Sequence, residues 1–251
     1  MALNYHKKPQ ESKVMKLVNL AGTAILLNFI FLAACSPVLL LFLSVKLPSP
    51  WNLILGVVAY LTVGPAFSGL FSGVRFMIRG DGAVRGFWEG VCAHPVRMII
   101  TGAAFMGILT HLFTQIDMAY QIWVQHDAVG DLILYGVITL VPLAVFTALI
   151  PLNIYIDYDA MDWLKNGINL LIKAPHWVLV SALILWAPVV CLLWIPDIFY
   201  MIIVVFVGFW FTLAAFVATL VLKNALIDRL LEHQEEHPEL YEEEEETEDE
   251  E

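Results

Sequence analysis

Apolar residues along this chain fall in blocks too long and too unbroken for a fold whose solvent is water. Runs at 17–45, 51–74, 98–116, 132–154, 176–195 and 198–222 each supply the ~20 mostly apolar residues that a membrane-spanning helix requires. The third run is the weakest, because it contains His111 and Gln115 and grades into a polar segment at 117–131 that is able to continue as helix beyond the bilayer. Only Pro196 and Asp197 separate the last two runs, which predicts a tight turn there. The expected fold class is all-α: a polytopic membrane helical bundle of about six spans.

Two connections keep a helical period but change character. At 80–94, Val84, Phe87, Trp88 and Val91 recur on one face, opposite Asp81, Arg85 and Glu89. At 159–173, Met161, Leu164, Ile168 and Leu171 oppose Asp162, Asn166, Asn169 and Lys173. Both patterns predict amphipathic helices lying in the membrane interface. Pro95 or Pro175 follows, at the entry to the next span, where a missing amide donor costs little. The unit of span, interfacial helix, proline and span thus occurs twice, in parallel rather than inverted orientation. Identity between the copies is slight, so internal duplication and convergence on a common way of turning are both open at this point.

Composition agrees with lipid as the solvent. The 251 residues are 60% hydrophobic and 15% charged, against roughly 25% charged in soluble domains. The net charge of -11 misleads as an average, since 13 of the 24 acidic residues lie at 232–251. Three regions follow: a basic amino-terminal segment at 1–16, a six-span membrane domain at 17–231, and an acidic tail at 232–251 whose self-repulsion predicts disorder. The first apolar run is too long for a signal peptide and lacks a small-residue cleavage motif.

Basic residues set the expected orientation, because they stay in the cytoplasm beside span ends. Lys7, Lys8, Lys13 and Lys16 precede the first span, Arg75, Arg79, Arg85 and Arg97 flank the second loop, Lys165 and Lys173 the fourth, and Lys223 and Arg229 follow the last. Lys46 alone falls on the other side. The chain is therefore expected to be a multi-pass protein of the cell (inner) membrane with both ends cytoplasmic.

Candidate chemistry is sparse. Ionisable groups deep in a span are the usual mark of membrane function, and His111 sits toward the end of its run, while Asp157 and Asp159 lie just past the fourth. Cys35, Cys92 and Cys191 have no metal-ligand spacing and read as small apolar residues. Phosphate-loop, HExxH, GxSxG and CxxC signatures do not occur, so neither catalysis, cofactor nor metal is expected, and no basic aromatic surface suits nucleic acid. Arg75, Arg79, Asp81 and Arg85, with Phe87 and Trp88 beside them, form the candidate interaction surface, either as topogenic charge on lipid head groups or as a docking or anion-binding surface. In the second span, Gly64, Ser68 and Ser72 make a small-residue face, and Gly69 and Gly73 a GxxxG pair. With Pro65, these are the candidate helix-packing positions of a span expected at the bundle interior.

The stretch Gly64-Pro65-Ala66-Phe67-Ser68-Gly69-Leu70, then Arg75, Met77-Ile78-Arg79-Gly80-Asp81 and Gly86-Phe87-Trp88, resembles the YesL-like family of bacterial integral membrane proteins. Leu27-Asn28 and Cys35-Ser36-Pro37 resemble that family's opening. The likeness is strongest over 17–115 and mainly architectural beyond. Two departures stand out: a long connection at 38–63 and the acidic tail. The family has no assigned activity, and its members' association with carbohydrate uptake implies an accessory or regulatory role there, with the lipid bilayer, a carbohydrate transporter component and possible oligomers as partners. A small-solute or sugar transporter or channel is the alternative, with Trp186, Trp194, Trp210 and Tyr200 as residues able to stack on a sugar ring; an intramembrane enzyme is the third.

Overall fold

A computed structural model describes residues 13–42, 51–126, 129–155, 160–194 and 206–222. All regular structure among them is helical: α1 (Lys13–Ala34), α2 (Ser36–Phe42), α3 (Trp51–Arg79), α4 (Ala83–Cys92), α5 (Pro95–His126), α6 (Val129–Tyr155), α7 (Ala160–Lys173), α8 (Pro175–Trp194), then a π-helical turn (Phe206–Trp210) leading into α9 (Phe211–Leu222). Helices α3, α5 and α6 are long and apolar enough to cross a membrane, and the pair α7–α8 passes the same test with a 101° bend between its members. The apolar helices in α1 and at 208–222 are shorter. The turn at Pro196-Asp197, Lys46, Asp157, Asp159, Tyr200 and the acidic tail lie outside the described residues, as do the side chains of Cys191 and Trp194.

The first apolar run is not one helix. It breaks at Cys35, where the Cys35 N–H still reaches Phe31 O but Pro37, lacking an N–H, cannot continue the ladder and α2 starts anew. The third run is longer than its apolar part: α5 has 32 residues, roughly 48 Å at 1.5 Å per residue. Its polar end remains helical, with Gln121 donating to Asp117.

Helices α3, α4 and α5 form one unit and α6, α7 and α8 a second, at a constant offset of 80 residues. Gly56 and Val57 fall on Gly136 and Val137, and Pro95 on Pro175. Few other residues coincide, yet buried, half-buried and exposed positions match one for one between 53–73 and 133–153. In the first unit, α5 runs back along α3 and crosses it at Gly64 and Gly102. A Cβ on Gly64 would lie 1.8 Å from Met98 O, and one on Gly102 would lie 2.4 Å from Gly64 N, so only glycine permits this approach. Ala144 and Ala182, also buried, occupy the two corresponding places in the second unit.

The amphipathic helices α4 and α7 bury a different face from the one their apolar residues suggest. Ala83, Gly86, Phe87 and Gly90 of α4 turn to α3, where Ser68 donates to Gly90 O at 2.8 Å. Trp163, Gly167 and Leu170 of α7 turn inward likewise. Val84 and Trp88 of α4, and Met161, Leu164 and Ile168 of α7, are exposed. Phe87 is thus a core residue, whereas Trp88, on the same predicted face, is 58% exposed. The physical reason is that glycine brings backbones close, and close packing holds helices together in an apolar solvent. Lipid then remains a suitable neighbour for the larger apolar flank.

Gly80 ends α3. At φ +81° it lets the Asp81 N–H return to Phe76 O at 2.9 Å, the paired bonds of a helix-terminating left-handed residue. A further irregularity lies before α9, where the π-helical turn displaces backbone donors from their usual acceptors. Asn28 of α1 meets two of them: its Oδ1 accepts from Phe211 N at 3.0 Å and Thr212 N at 3.3 Å. With no water in a bilayer core, such donors need a protein partner.

Candidate functional site

The middle of the bundle is filled by rings contributed by both units. Phe105 of α5 stacks on Phe146 of α6 at 3.9 Å between centroids, and Phe67 of α3 meets Phe146 edge-on at 5.4 Å. Trp186 of α8 closes on Phe67 at 5.2 Å and Phe105 at 5.3 Å. Phe31 extends the cluster from Phe67 to Phe211 of α9. Trp186 is buried, and its Nε1–H donates to Thr147 Oγ1, so this ring is sealed in the core. Trp210 is also held within the bundle, donating to Ile184 O. An open groove of ≈ 350 Å³ lies along α5, lined by Met106, Leu109, Thr110, Phe113, Thr114 and Asp117.

The residues of the predicted interaction surface do not converge. Arg79 and Asp81 are exposed at the turn after α3. Arg85 pairs with Glu89 one turn along α4 at 2.7 Å, its side chain largely in solvent. Phe87 is in the core and Trp88 faces outward. Arg75 takes a separate course: half-buried, it donates from Nη1 to Ile154 O, the last turn of α6 in the other unit.

That bond marks a seam between the two units at the arginine-bearing end of the bundle. Arg97, two residues into α5, reaches the same turn and donates to Asn153 Oδ1 at 3.5 Å. Its guanidinium lies 5.4 Å from the centre of the Trp163 ring, within cation–π range. Trp163 is fixed from the other side, since its Nε1–H donates to Leu149 O at 2.9 Å. Beneath them Met98, Leu149, Leu152 and Trp163 form a small buried apolar cluster. Asn153 is 4% exposed, and its Nδ2 has no hydrogen-bond partner among the described residues.

From sequence, Arg97 read only as a topogenic charge, and Asn153 and Trp163 were not singled out. The 80-residue offset holds the missing signal: Asn153 falls opposite Gly73 and Trp163 opposite Ala83, polar or bulky residues where the other copy is small. Gly64, Gly69, Gly73 and Ser68 all lie buried in helix contacts, and Pro65 is half-buried inside an unbroken α3. His111 of α5 is exposed. No group of three or more His, Cys, Asp or Glu residues that suits a metal ion occurs among the described residues. Comparison with family models, with curated proteins and with solved structures finds no match to this chain.

Proposed function

We propose that this chain is a six-span protein of the bacterial inner membrane, both ends cytoplasmic, that acts as an accessory or regulatory subunit beside a carbohydrate uptake system. In this reading α1 and the helix ending at Leu222 are the first and sixth spans, flanking the two units. The class of role comes from the resemblance to YesL-like proteins in α3 and α4. The observation that carries it over a transport reading is the stacked Phe67, Phe105, Phe146 and Trp186 core, which fills with packed rings the place where two units would otherwise enclose a path. Rings at this spacing favour one another and exclude water. Trp186, one of the residues able to stack on a sugar ring, is committed to that packing.

Mild-detergent purification of a tagged protein from native membranes is the test. Recovery of a carbohydrate transporter component in stoichiometric amount supports the accessory role. Its absence, combined with uptake of a sugar by vesicles containing the purified chain alone, overturns it in favour of transport.

A further inference from the structure

We propose that the groove along α5 holds one membrane lipid with a primary ammonium head group, its amine paired with Asp117 and its chain laid on Met106, Leu109 and Phe113.

The groove changes character along the helix axis. It runs from Met106 to Asp117, about 16 Å at 1.5 Å per residue. Its inner end is apolar: Met106 and Leu109 are buried, and half-buried Phe113 packs against the same core. The hydroxyls of Thr110 and Thr114 follow along the wall, and a carboxylate closes the series. Asp117 stands about 30 Å along α5 from Arg97 at the same rise, and a bilayer's hydrocarbon core is also about 30 Å thick. With α5 crossing the membrane, the groove thus passes from the apolar interior to the surface opposite Arg97, apolar where acyl chains lie and acidic where head groups lie. Its volume is ≈ 350 Å³. A partner helix, about 10 Å across, would not seat in it, whereas a single extended chain does.

The polar wall selects the head group. None of the six lining residues carries a side-chain N–H. Thr114 donates its hydroxyl hydrogen to Thr110 O at 2.9 Å, so towards a ligand it only accepts. Thr110 Oγ1 is joined to Tyr60 Oη at 3.0 Å. Asp117 accepts from Gln121 at 3.1 Å, one of the roughly four hydrogen bonds that a carboxylate is able to take. A positively charged donor complements such a wall. Residues 98–164 contain no Lys or Arg, so the α5–α6 hairpin supplies no permanent cation of its own.

Native mass spectrometry of the full-length protein released from nanodiscs of mixed phosphatidylethanolamine and phosphatidylcholine is the test. Both lipids carry acyl chains, a phosphate and a cationic nitrogen, but only the first has N–H groups to donate. Wild type should retain phosphatidylethanolamine about tenfold over its share of the disc, the worth of one charge-assisted hydrogen bond. Asp117→Asn should return retention to the disc ratio, while Asp117→Glu, which keeps the carboxylate, should preserve the preference. Asp117 is exposed, so both variants should unfold at the wild-type temperature. Asp131→Asn, at an exposed acid in the first turn of α6, should leave the preference unchanged.

Wild-type retention of the two lipids in the disc ratio overturns the proposal. So does an equal loss from Asp117→Asn and Asp131→Asn, which would assign the preference to diffuse surface charge. Displacement of the lipid by millimolar ethanolamine also overturns it, because the ligand would then be a free amine.

Discussion

The two units reach one architecture by opposite choices of side chain. Where α3 meets α4, Gly69 faces Phe87: a Cβ on the glycine would come 3.0 Å from the Phe87 ring. The corresponding positions in α6 and α7 hold Leu149 and Gly167, and a Cβ on Gly167 would lie 2.2 Å from the leucine Cδ2. The large residue has moved from the interfacial helix to the spanning helix, and the small one has moved the other way. What the units share at this contact is therefore its volume. Sequence identity between them has nearly vanished, but the partition of space has not, as expected when close packing is the force that holds helices together in lipid. Convergence on a common turn would not require the burial pattern of α3 over 53–73 to match that of α6 over 133–153 position by position, and that match favours descent from one duplicated unit.

The largest effect is expected at the α3–α5 crossing. Gly64→Leu places a side chain where Met98 O stands 1.8 Å from a bare Cβ, and backbone cannot yield as a flexible side chain can. Little protein should reach the membrane as a monodisperse species on gel filtration. Gly56→Leu, with nothing within 4 Å of its Cβ, should accumulate like wild type. Equal behaviour of the two would show that α5 does not cross α3 at Gly64.

Next comes the exchange itself. Gly69→Leu overfills the α3–α4 contact, and Phe87→Gly empties it, at about 3–5 kcal/mol for the lost ring alone. Together they reproduce the arrangement of the second unit. The double variant should recover part of the loss, giving a favourable coupling of about 1–3 kcal/mol in a double-mutant cycle read from reversible unfolding in detergent. Strict additivity would mean that the resemblance between Gly69–Phe87 and Leu149–Gly167 is coincidence.

Asn28 tests a feature outside the repeat. Asn28→Leu leaves the Phe211 and Thr212 amides without the oxygen that receives them. A buried donor left unmade costs about 1–3 kcal/mol, and hydrogen exchange should rise at 211–212 first. Unchanged exchange there would imply that the π-helical turn satisfies its own backbone.

Much of the architecture was legible because its cause is hydropathy and proline. Blocks of apolar residues predicted α3, α5, α6 and α8, and the prolines at 95 and 175 marked where α5 and α8 begin. Less legible was which apolar face meets protein and which meets lipid. Phe87 and Trp88 are adjacent, aromatic and equally apolar by composition, yet one is buried and the other exposed, because Gly86 and Gly90 set which side of α4 approaches α3. The seam was hidden for another reason. Arg75 and Arg97 read from sequence as loop charges like their neighbours, and only the fold brings Arg75 to Ile154 and Arg97 to Asn153 and Trp163, more than 50 residues away.

The smallest effect is expected where the two units agree in charge. Arg85 and Lys165 occupy the same place in α4 and α7, but their partners sit on opposite sides: Glu89 follows Arg85 by four residues, whereas Asp162 precedes Lys165 by three. Had the ion pair been the conserved element, the acid would have kept its place as the glycine–aromatic volume did. Only the cation kept it, on a helix flank that the positive-inside rule would hold at the cytoplasmic surface. Both pairs are largely in solvent, where such bridges are worth about 0–1 kcal/mol. Glu89→Gln and Asp162→Asn should therefore leave unfolding within about 0.5 kcal/mol of wild type. Arg85→Glu combined with Lys165→Glu should instead lower the fraction of chains inserted in a single orientation, measured by accessibility of cysteines introduced into the loops. A large loss of stability from Glu89→Gln, with insertion untouched by the double charge reversal, would reverse this assignment and make the ion pair the reason the cation is retained.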